Sequence, residues 1–254
     1  MSNIGVVAAT NLGVVAFALL GYSQLFMLGA AISFLALLTS LAIPRRKVSA
    51  VRGTSLPLSM IRKASRTLRW FYLVTALDSF AWAIATPFFT ITPTVVFSAM
   101  KEQIALMNTL IWGTAIATNI MVASISDRIG SRRGMMAFSE GLGVACFALY
   151  VSARSIYPLY LCAVLFGLVT VTWGPITAAY ITEAAGREEI HEAVGTWMTV
   201  TAVARIPGPF IGGFLAEAWD PRAPYLVALP LVAALALLIE RTLPESRMAG
   251  KALF

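Results

Sequence analysis

Long apolar stretches separated by short polar connections make up most of the chain. A helix that crosses the hydrocarbon core of a membrane needs about 20 mostly apolar residues, and eight stretches meet or approach this length. They lie at residues 4–20, 22–43, 70–97, 103–125, 135–153, 156–181, 194–218 and 223–243. The pattern therefore predicts an all-α, polytopic membrane protein with about eight transmembrane helices.

The composition supports this reading. Hydrophobic residues make up 59% of the chain and charged residues 12%, whereas soluble domains have roughly 45–50% and ~25%. The formal net charge of +7 would suit a nucleic-acid-binding protein only if it formed a basic face on a soluble fold. Here the basic residues lie mainly between apolar stretches, so we expect membrane lipid, and no nucleic acid, as a partner.

The basic residues also predict the topology, because they favour the cytoplasmic ends of membrane helices. The side of the membrane that holds residues 44–69 would carry fifteen of the 19 basic residues: Arg45, Arg46, Lys47, Arg52, Arg62, Lys63, Arg66, Arg69, Arg128, Arg132, Arg133, Arg187, Arg241, Arg247 and Lys251. The other side would carry only Lys101, Arg154 and Arg222. We therefore expect a multi-pass protein of the plasma membrane with both termini in the cytoplasm.

Residues 44–69 form the longest connection between apolar stretches. Leu58, Ile61 and Leu68 share roughly one helical face, while four basic residues occupy other positions. One interpretation of 56–69 is a basic amphipathic helix that lies on the inner membrane surface and is attracted by anionic lipid. A plain solvated loop is the alternative.

An internal repeat indicates the architecture. The stretch from Gly13 to Pro44 is echoed, 195 residues later, by the stretch from Gly208 to Pro244. Each copy has a glycine-containing helix, a short turn, an apolar helix and a final proline. Four apolar segments between residues 70 and 181 precede the second copy, but only about a dozen residues precede the first. If the repeating unit has six helices, the first unit lacks its first four.

Three short motifs resemble those of the major facilitator superfamily of secondary transporters. Asp127-Arg128-Ile129-Gly130-Ser131-Arg132-Arg133 resembles the motif that joins the second and third helices of each half, although Ala123 replaces a glycine and Ser131 a basic residue. Gly208-Pro209-Phe210-Ile211-Gly212-Gly213 is similar to a fifth-helix pattern, found here in the equivalent eleventh helix. Leu243-Pro244-Glu245-Ser246 resembles the end of a twelfth helix.

The resemblance implies a fold of two six-helix halves joined by a long cytoplasmic loop. The chain would then contain the last two helices of the first half at 1–43, the linker at 44–69, a complete second half at 70–243 and a cytoplasmic tail at 244–254. The implied function is secondary active transport of a small solute by alternating access, in the manner of drug or metabolite efflux. The alternative is a truncated remnant that acts only with a missing amino-terminal part or another membrane protein.

The hairpin at 127–133 and the glycines at 208–213 each have two interpretations. An aspartate at a tight helix connection can face helix N-termini while neighbouring arginines bind carboxylates, so Asp127, Arg128, Gly130, Arg132 and Arg133 are candidates for a conformational latch. Simple topology-determining charge is the alternative. Gly208, Pro209, Gly212 and Gly213 suit either close helix packing or a hinge.

Ionisable groups inside apolar segments carry the most functional information, because they are costly in hydrocarbon and usually face a cavity or a partner. Asp78 and Arg205 lie about 12 Å and 17 Å into their segments, so they reach similar depths. The stretch from Asp78 to Pro87 also resembles the first-helix pattern of proton-coupled, drug-type members. The hypothesis is that Asp78 binds a coupling proton or a cationic substrate group, and the alternative is a structural Asp78–Arg205 ion pair.

Polar and aromatic positions in the same segments are candidates for lining a substrate cavity. They are Trp82, Thr86 and Thr90, then Asn108, Trp112 and Asn119, then Thr172, Trp173 and Thr177. Glu140 is expected to belong to the charge network of the hairpin. Cys146 and Cys162 are expected at different depths as small apolar side chains, without a disulfide.

The sequence carries no pattern typical of an enzyme. The single histidine, His191, cannot form a two-histidine metal site, and no phosphate-binding glycine loop followed by lysine is present. We therefore expect no catalytic residues, no metal and no cofactor. The expected partners are a small-molecule substrate, membrane lipid and, as a hypothesis, protons.

Overall fold

The computed structural model describes residues 23–24, 27–35, 38–39, 61–186 and 189–245. Within these residues eight helices follow one another: α1 Arg66–Ala85, α2 Phe88–Phe97, α3 Lys101–Ile129, α4 Arg132–Ser152, α5 Tyr157–Ala184, α6 Ile190–Arg205, α7 Pro207–Ala218 and α8 Ala223–Thr242. The short described pieces between residues 23 and 39 are also helical. The protein is all-helical throughout the described ranges, as the sequence predicts.

The helices combine into six candidate membrane spans in the described part of the chain. Each is long and apolar enough to cross a bilayer: Arg66–Phe97, Lys101–Ile129, Arg132–Ser152, Tyr157–Ala184, Ile190–Ala218 and Ala223–Thr242. They correspond in order to the six apolar segments predicted from residue 70 onward. The predicted segment 4–20 lies outside the described residues, and 22–43 is described only in part.

Proline explains why two of the six spans are broken. The first span is interrupted between α1 and α2 at Thr86–Pro87, and the fifth at Ile206, directly before Pro207. Proline lacks the backbone N–H that continues a helix, so each span becomes two shorter helices. The breaks thus fall at prolines that the sequence identifies.

The first span begins earlier than the apolar pattern suggests. Ser65 caps α1 by accepting a hydrogen bond from the backbone N–H of Leu68 at 3.3 Å, and Leu68 is buried against the core. Residues 61–63 are helical but Ala64 and Ser65 are not, so the described part of the amphipathic helix predicted at 56–69 is interrupted directly before α1. Residues 44–60 of the linker lie outside the described ranges.

The turn between α3 and α4 is built by its own residues. Gly130 ends α3 in the left-handed region, with φ of 67°, a conformation that glycine adopts without steric cost. Ser131 then caps α4, because its hydroxyl oxygen accepts from the backbone N–H of Gly134 at 3.1 Å. We call the end of the bundle that carries this turn the hairpin end.

The two larger of three hydrophobic clusters among the described residues fill most of the bundle, one towards each end. The hairpin-end cluster includes Phe71, Met136 and Tyr180, and the rings of Phe71 and Tyr180 stack at 5.4 Å. The far-end cluster includes Tyr150 and Tyr225, whose rings stack at 4.3 Å. Buried polar side chains lie between the two clusters along the helices, and they define the layer in which the candidate site is found.

Cys146 and Cys162 form a disulfide, with an S–S distance of 2.12 Å. The expectation of unpaired cysteines at different depths was wrong. The two residues lie on the antiparallel helices α4 and α5, each about one and a half turns from their shared connection. Equal distance from one turn places them at the same depth, with 4.8 Å between the Cα atoms.

Candidate functional site

Two acidic side chains meet in the polar layer of the bundle. Asp78 on α1 is 4% exposed and Glu140 on α4 is 1% exposed, and their carboxyl groups lie close enough to interact directly. Two ionised carboxylates have only acceptor atoms and repel one another, whereas a proton on one of them lets the two groups form a hydrogen bond. The arrangement is therefore suited to holding a proton inside the bundle.

Trp82 completes this acidic pair. It lies one helical turn after Asp78 on α1, is 7% exposed, and its side chain lies beside Glu140. The indole N–H is a donor only, so it is a suitable neighbour for a carboxyl group. The ring also packs closely on Gly143, where a Cβ would lie 2.6 Å from Trp82 Cζ2. The absence of a side chain at Gly143 thus makes room for the tryptophan beside Glu140.

Part of the bonding capacity of the pair is unused. Oδ1 of Asp78 and Oε2 of Glu140 are both buried without a hydrogen-bond partner. An unsatisfied buried oxygen costs about 1–3 kcal/mol, and structures usually avoid it unless the group has a functional partner. These two oxygens are available to accept a further proton or a hydrogen bond from a bound solute.

The position of Glu140 differs from the one expected from the sequence. It was expected to join the charge network of the hairpin, but it lies instead against Asp78 and Trp82. Two turns of α4 separate it from Arg132, which is enough to move it from the helix end into the buried layer. The missed signal is the spacing of eight residues between Arg132 and Glu140.

Arg205 does not form the direct ion pair with Asp78 that was the structural alternative. It lies in the last turn of α6, is exposed, and makes no ion pair within 4.0 Å in the described part of the chain. It is close enough to interact electrostatically with Asp78. An exposed guanidinium near the middle of a span thus borders the acidic pair without neutralising it.

The other predicted cavity residues are mostly satisfied within their own helices. The hydroxyls of Thr86, Thr172 and Thr177 donate to backbone oxygens one turn earlier, at 2.6–2.9 Å, and the amide of Asn108 does so at 3.1 Å. The rings of Trp112 and Trp173 pack against the hydrophobic clusters, while Thr90 and Asn119 are exposed. Their role in solute binding remains a prediction.

Thr172 also borders a separate cleft of about 480 Å³ between α3, α4 and α5, close to the hairpin. Its lining is mainly aliphatic and aromatic, including Ile125, Phe138 and Leu168. Neither Asp78 nor Glu140 lines this cleft. It is therefore distinct from the acidic pair.

The predicted latch residues form an ion-pair network at the hairpin end. Arg132 contacts Asp127 at 2.9 Å and Glu183 at 3.2 Å, and it also donates to the hydroxyl of Ser126 at 2.6 Å. Glu183 lies in the last turn of α5. Arg132 therefore ties the α3–α4 hairpin to the end of α5.

Arg133 makes the equivalent connection to α8. Its Nε atom lies 3.1 Å from carboxylate oxygens of both Glu240 and Glu245, which are at and just beyond the end of α8. Sequence reasoning did not identify either glutamate as a partner. Arg128, in contrast, is exposed and forms no ion pair among the described residues.

Replacing Arg132 by Gln is expected to destabilise the protein by about 2 kcal/mol, because it leaves the mostly buried carboxylate of Glu183 without its cation. The side chain of Glu183 is only 11% exposed, and its Oε2 atom already lacks a partner. Thermal unfolding in detergent measures the effect. The matched control is Arg128→Gln, which removes the same charge from the same hairpin without breaking an ion pair. Equal losses in both variants would contradict the network.

Comparison with known proteins agrees with this geometry. The family model for the Major Facilitator Superfamily matches residues 71–252, a range that contains the acidic pair, the hairpin and the glycine motif. The multidrug efflux pump LfrA of Mycolicibacterium smegmatis is 31% identical over 132 residues, which cover 50% of this chain. That match covers 25% of the pump, so the chain spans about a quarter of the length of this curated relative.

The family match extends over more than half of the chain and includes the six described spans except for the first five residues of the first span. It confirms the resemblance drawn from the three short motifs, and it supports a multi-pass membrane protein of the transporter class and not an enzyme. On this evidence the chain belongs to the Major Facilitator Superfamily.

Proposed function

We propose that this protein contributes to the proton-coupled transport of a small solute by alternating access, with the Asp78–Glu140 pair as the proton-binding site. The observation that carries the proposal is the proximity of two buried carboxyl groups in the middle of a membrane bundle. Ionisable groups at such a depth are usually retained for function, because hydrocarbon penalises them. The pair can bind a proton in one state and release it in another.

The chemistry of the pair also indicates the class of solute. When both carboxyl groups are ionised, the site presents negative charge in a low-dielectric environment, and a cation compensates that charge. Trp82 adds an aromatic face beside the carboxyl groups, and such faces attract cations. The proposed solute is therefore a small organic cation that exchanges against protons, which is in keeping with the drug-efflux activity named for LfrA.

The hairpin end supports a conformational role for the latch residues. Arg132 and Arg133 connect the α3–α4 hairpin to both α5 and α8, so the ends of four helices are tied together. Alternating access requires one side of a transporter to close while the other opens. In this proposal the hairpin end faces the cytoplasm, as the distribution of basic residues suggests, and the network stabilises one state of that side.

A second candidate function is transport only in association with another helical unit. Only 17% of the apolar core residues are buried in each of the spans Lys101–Ile129 and Ile190–Ala218. In the other described spans, 39–44% of these residues are buried. The exposed Arg205 lies on the second of these spans, and a guanidinium facing lipid at mid-depth is unfavourable by several kcal/mol. A second bundle that covers this face would shield Arg205 and complete the solute pathway.

Reconstitution of the purified chain into proteoliposomes distinguishes the two candidates. Under an imposed pH gradient, with the lipophilic cation ethidium as the probe, we expect ethidium flux that stops when a protonophore collapses the gradient. If no flux occurs, the molar mass of the protein in detergent is measured. This mass shows whether the chain associates. A monomer without flux under any imposed gradient would contradict autonomous transport and favour the dependent unit.

A further inference from the structure

A basic groove lies between the ends of α1 and α8 at the hairpin end. Two adjoining clefts of about 330 Å³ and 360 Å³ share Arg66 and Trp70 in their linings. Arg69 and Arg241 complete the basic rim, and Thr67 and Thr242 add hydroxyl groups. No acidic side chain is among the residues that line either cleft. We call these two clefts the α1–α8 groove.

The arginines of the α1–α8 groove have no carboxylate partners. Within the described residues none of Arg66, Arg69 and Arg241 forms an ion pair, and all three are exposed. The nearby Glu240 and Glu245 are both engaged by Arg133. Three neighbouring guanidinium groups repel one another, so the groove favours an anionic occupant.

The chain segments that adjoin the groove in sequence do not supply this anion. Residues 44–60, which precede α1, contain four basic residues and no acidic residue, and residues 246–254, which follow α8, contain two basic side chains and no acidic one. Neither segment offers a carboxylate side chain to the arginines, so we expect the compensating negative charge to come from another molecule.

An apolar stripe leads from the groove along the exposed surface of α1. Arg66, Trp70, Leu73 and Leu77 follow the i, i+4, i+7, i+11 spacing of one helical face. Leu73 and Leu77 are 45% and 41% exposed, and Leu73 lines one of the two clefts. Tryptophan prefers the boundary between headgroups and hydrocarbon. The basic rim and the apolar stripe thus match the headgroup and the acyl chain of a lipid.

We propose that the α1–α8 groove binds an anionic phospholipid of the cytoplasmic leaflet. The phosphate group lies among Arg66, Arg69 and Arg241, where guanidinium groups form charge-assisted hydrogen bonds with phosphate oxygens. One acyl chain lies along Leu73 and Leu77. Basic pockets between membrane helices on the cytoplasmic side are suited to such headgroups. An acidic protein would satisfy the arginines but would leave the apolar stripe without a matching surface.

Native mass spectrometry of the detergent-purified protein tests this proposal. Dioleoyl phosphatidylglycerol and dioleoyl phosphatidylcholine, which share acyl chains and differ in net charge, are titrated separately. We expect the anionic lipid to remain bound at lower concentrations. We also expect Arg241→Gln to weaken its binding about fivefold and Arg66→Gln with Arg241→Gln about 25-fold, from roughly one basic contact per substitution.

The matched control is Arg128→Gln, since Arg128 and Arg241 both lie in the last turn of a helix at the hairpin end and both are exposed. It is expected to leave binding of the anionic lipid unchanged. Arg241→Lys should retain most of the binding, because the positive charge remains. If the double variant does not purify as a folded protein, Arg241→Gln alone carries the test.

Three results would overturn the proposal. They are equal retention of the two lipids, equal weakening by Arg128→Gln and Arg241→Gln, and displacement of the bound lipid by inorganic phosphate at millimolar concentration. The last result would identify the groove as a site for free phosphate and not for lipid. The experiment does not depend on transport, so it stands apart from the proposed function.

Discussion

Replacing Gly212 by Ala is expected to destabilise the protein by about 3 kcal/mol, because there is no space for a methyl group between α7 and α1. A Cβ at this position would overlap the backbone oxygen of Ile84 and would lie 2.7 Å from Cε2 of Phe88. A backbone oxygen cannot move aside as the tip of a flexible side chain can. The two helices would have to separate, and their packing at this crossing would be lost.

Thermal unfolding in detergent checks this prediction, with an expected decrease in the midpoint of about 6–12 °C. The control is Gly213→Ala at the next position, where a Cβ would have no neighbour within 4 Å. That variant is expected to unfold at the same temperature as the parent protein or slightly above it, since alanine favours the helix. Equal effects of the two substitutions would show that close packing is not the role of the motif.

Gly208 extends the same interpretation along α7. A Cβ there would overlap Ala83 and would lie 2.8 Å from the backbone carbon of that residue. Gly208 and Gly212 are one turn apart and face α1, as a small-residue pair in a membrane interface does. The helix break at Ile206 lies directly before them. The contacts account for the two glycines through packing, and a hinge at the break remains a prediction.

The apolar pattern predicted the six described spans because hydrocarbon imposes a simple length requirement on a helix. Their ends were less well predicted, and the structural reasons are local. The first span gained a turn, from Arg66 to Arg69, because Ser65 caps it and Leu68 packs into the core. Charged residues in a first turn look like part of a loop in a hydropathy pattern, although they extend the helix beyond the hydrocarbon.

Only one of the two residues of the acidic pair could be predicted from the sequence. Asp78 was identified because a carboxylate inside an apolar segment is unusual wherever the helix lies. Glu140 was assigned to the hairpin because its distance from the charged turn seemed short, and sequence alone does not show which face of α4 meets α1. The same limitation applies to Cys146 and Cys162, whose pairing depends on the register between two antiparallel helices.

For the latch residues, the sequence predicts the contact within the hairpin but not the contacts with other helices. Asp127 and Arg132 were expected to participate in a network, and they do form an ion pair. The distant partners are Glu183 for Arg132 and Glu240 and Glu245 for Arg133, and each lies 51 or more residues away from its arginine in sequence. Such contacts depend on which helix ends converge, and this is decided by the packing of the whole bundle.

Replacing Asp78 by Asn is expected to abolish the dependence of transport on the pH gradient and to retain the exchange of labelled for unlabelled solute. The asparagine amide can still donate a hydrogen bond to Glu140, so the local structure is maintained while one exchangeable proton is lost. Glu140→Gln is expected to have the same effect, because it removes the other carboxyl group of the pair. Proteoliposomes containing ethidium measure both the gradient-driven flux and the exchange.

The double variant decides whether the two carboxyl groups act as a unit. If Asp78 and Glu140 share one proton, either substitution alone removes nearly the whole coupling, and combining them adds little. Independent proton sites would instead give additive losses. Glu217→Gln is the control, since it neutralises an exposed carboxylate on α7 and is expected to leave coupling intact. Full pH dependence in Asp78→Asn would remove the pair from the mechanism, and the proximity of the two carboxyl groups would then have only a structural role between α1 and α4.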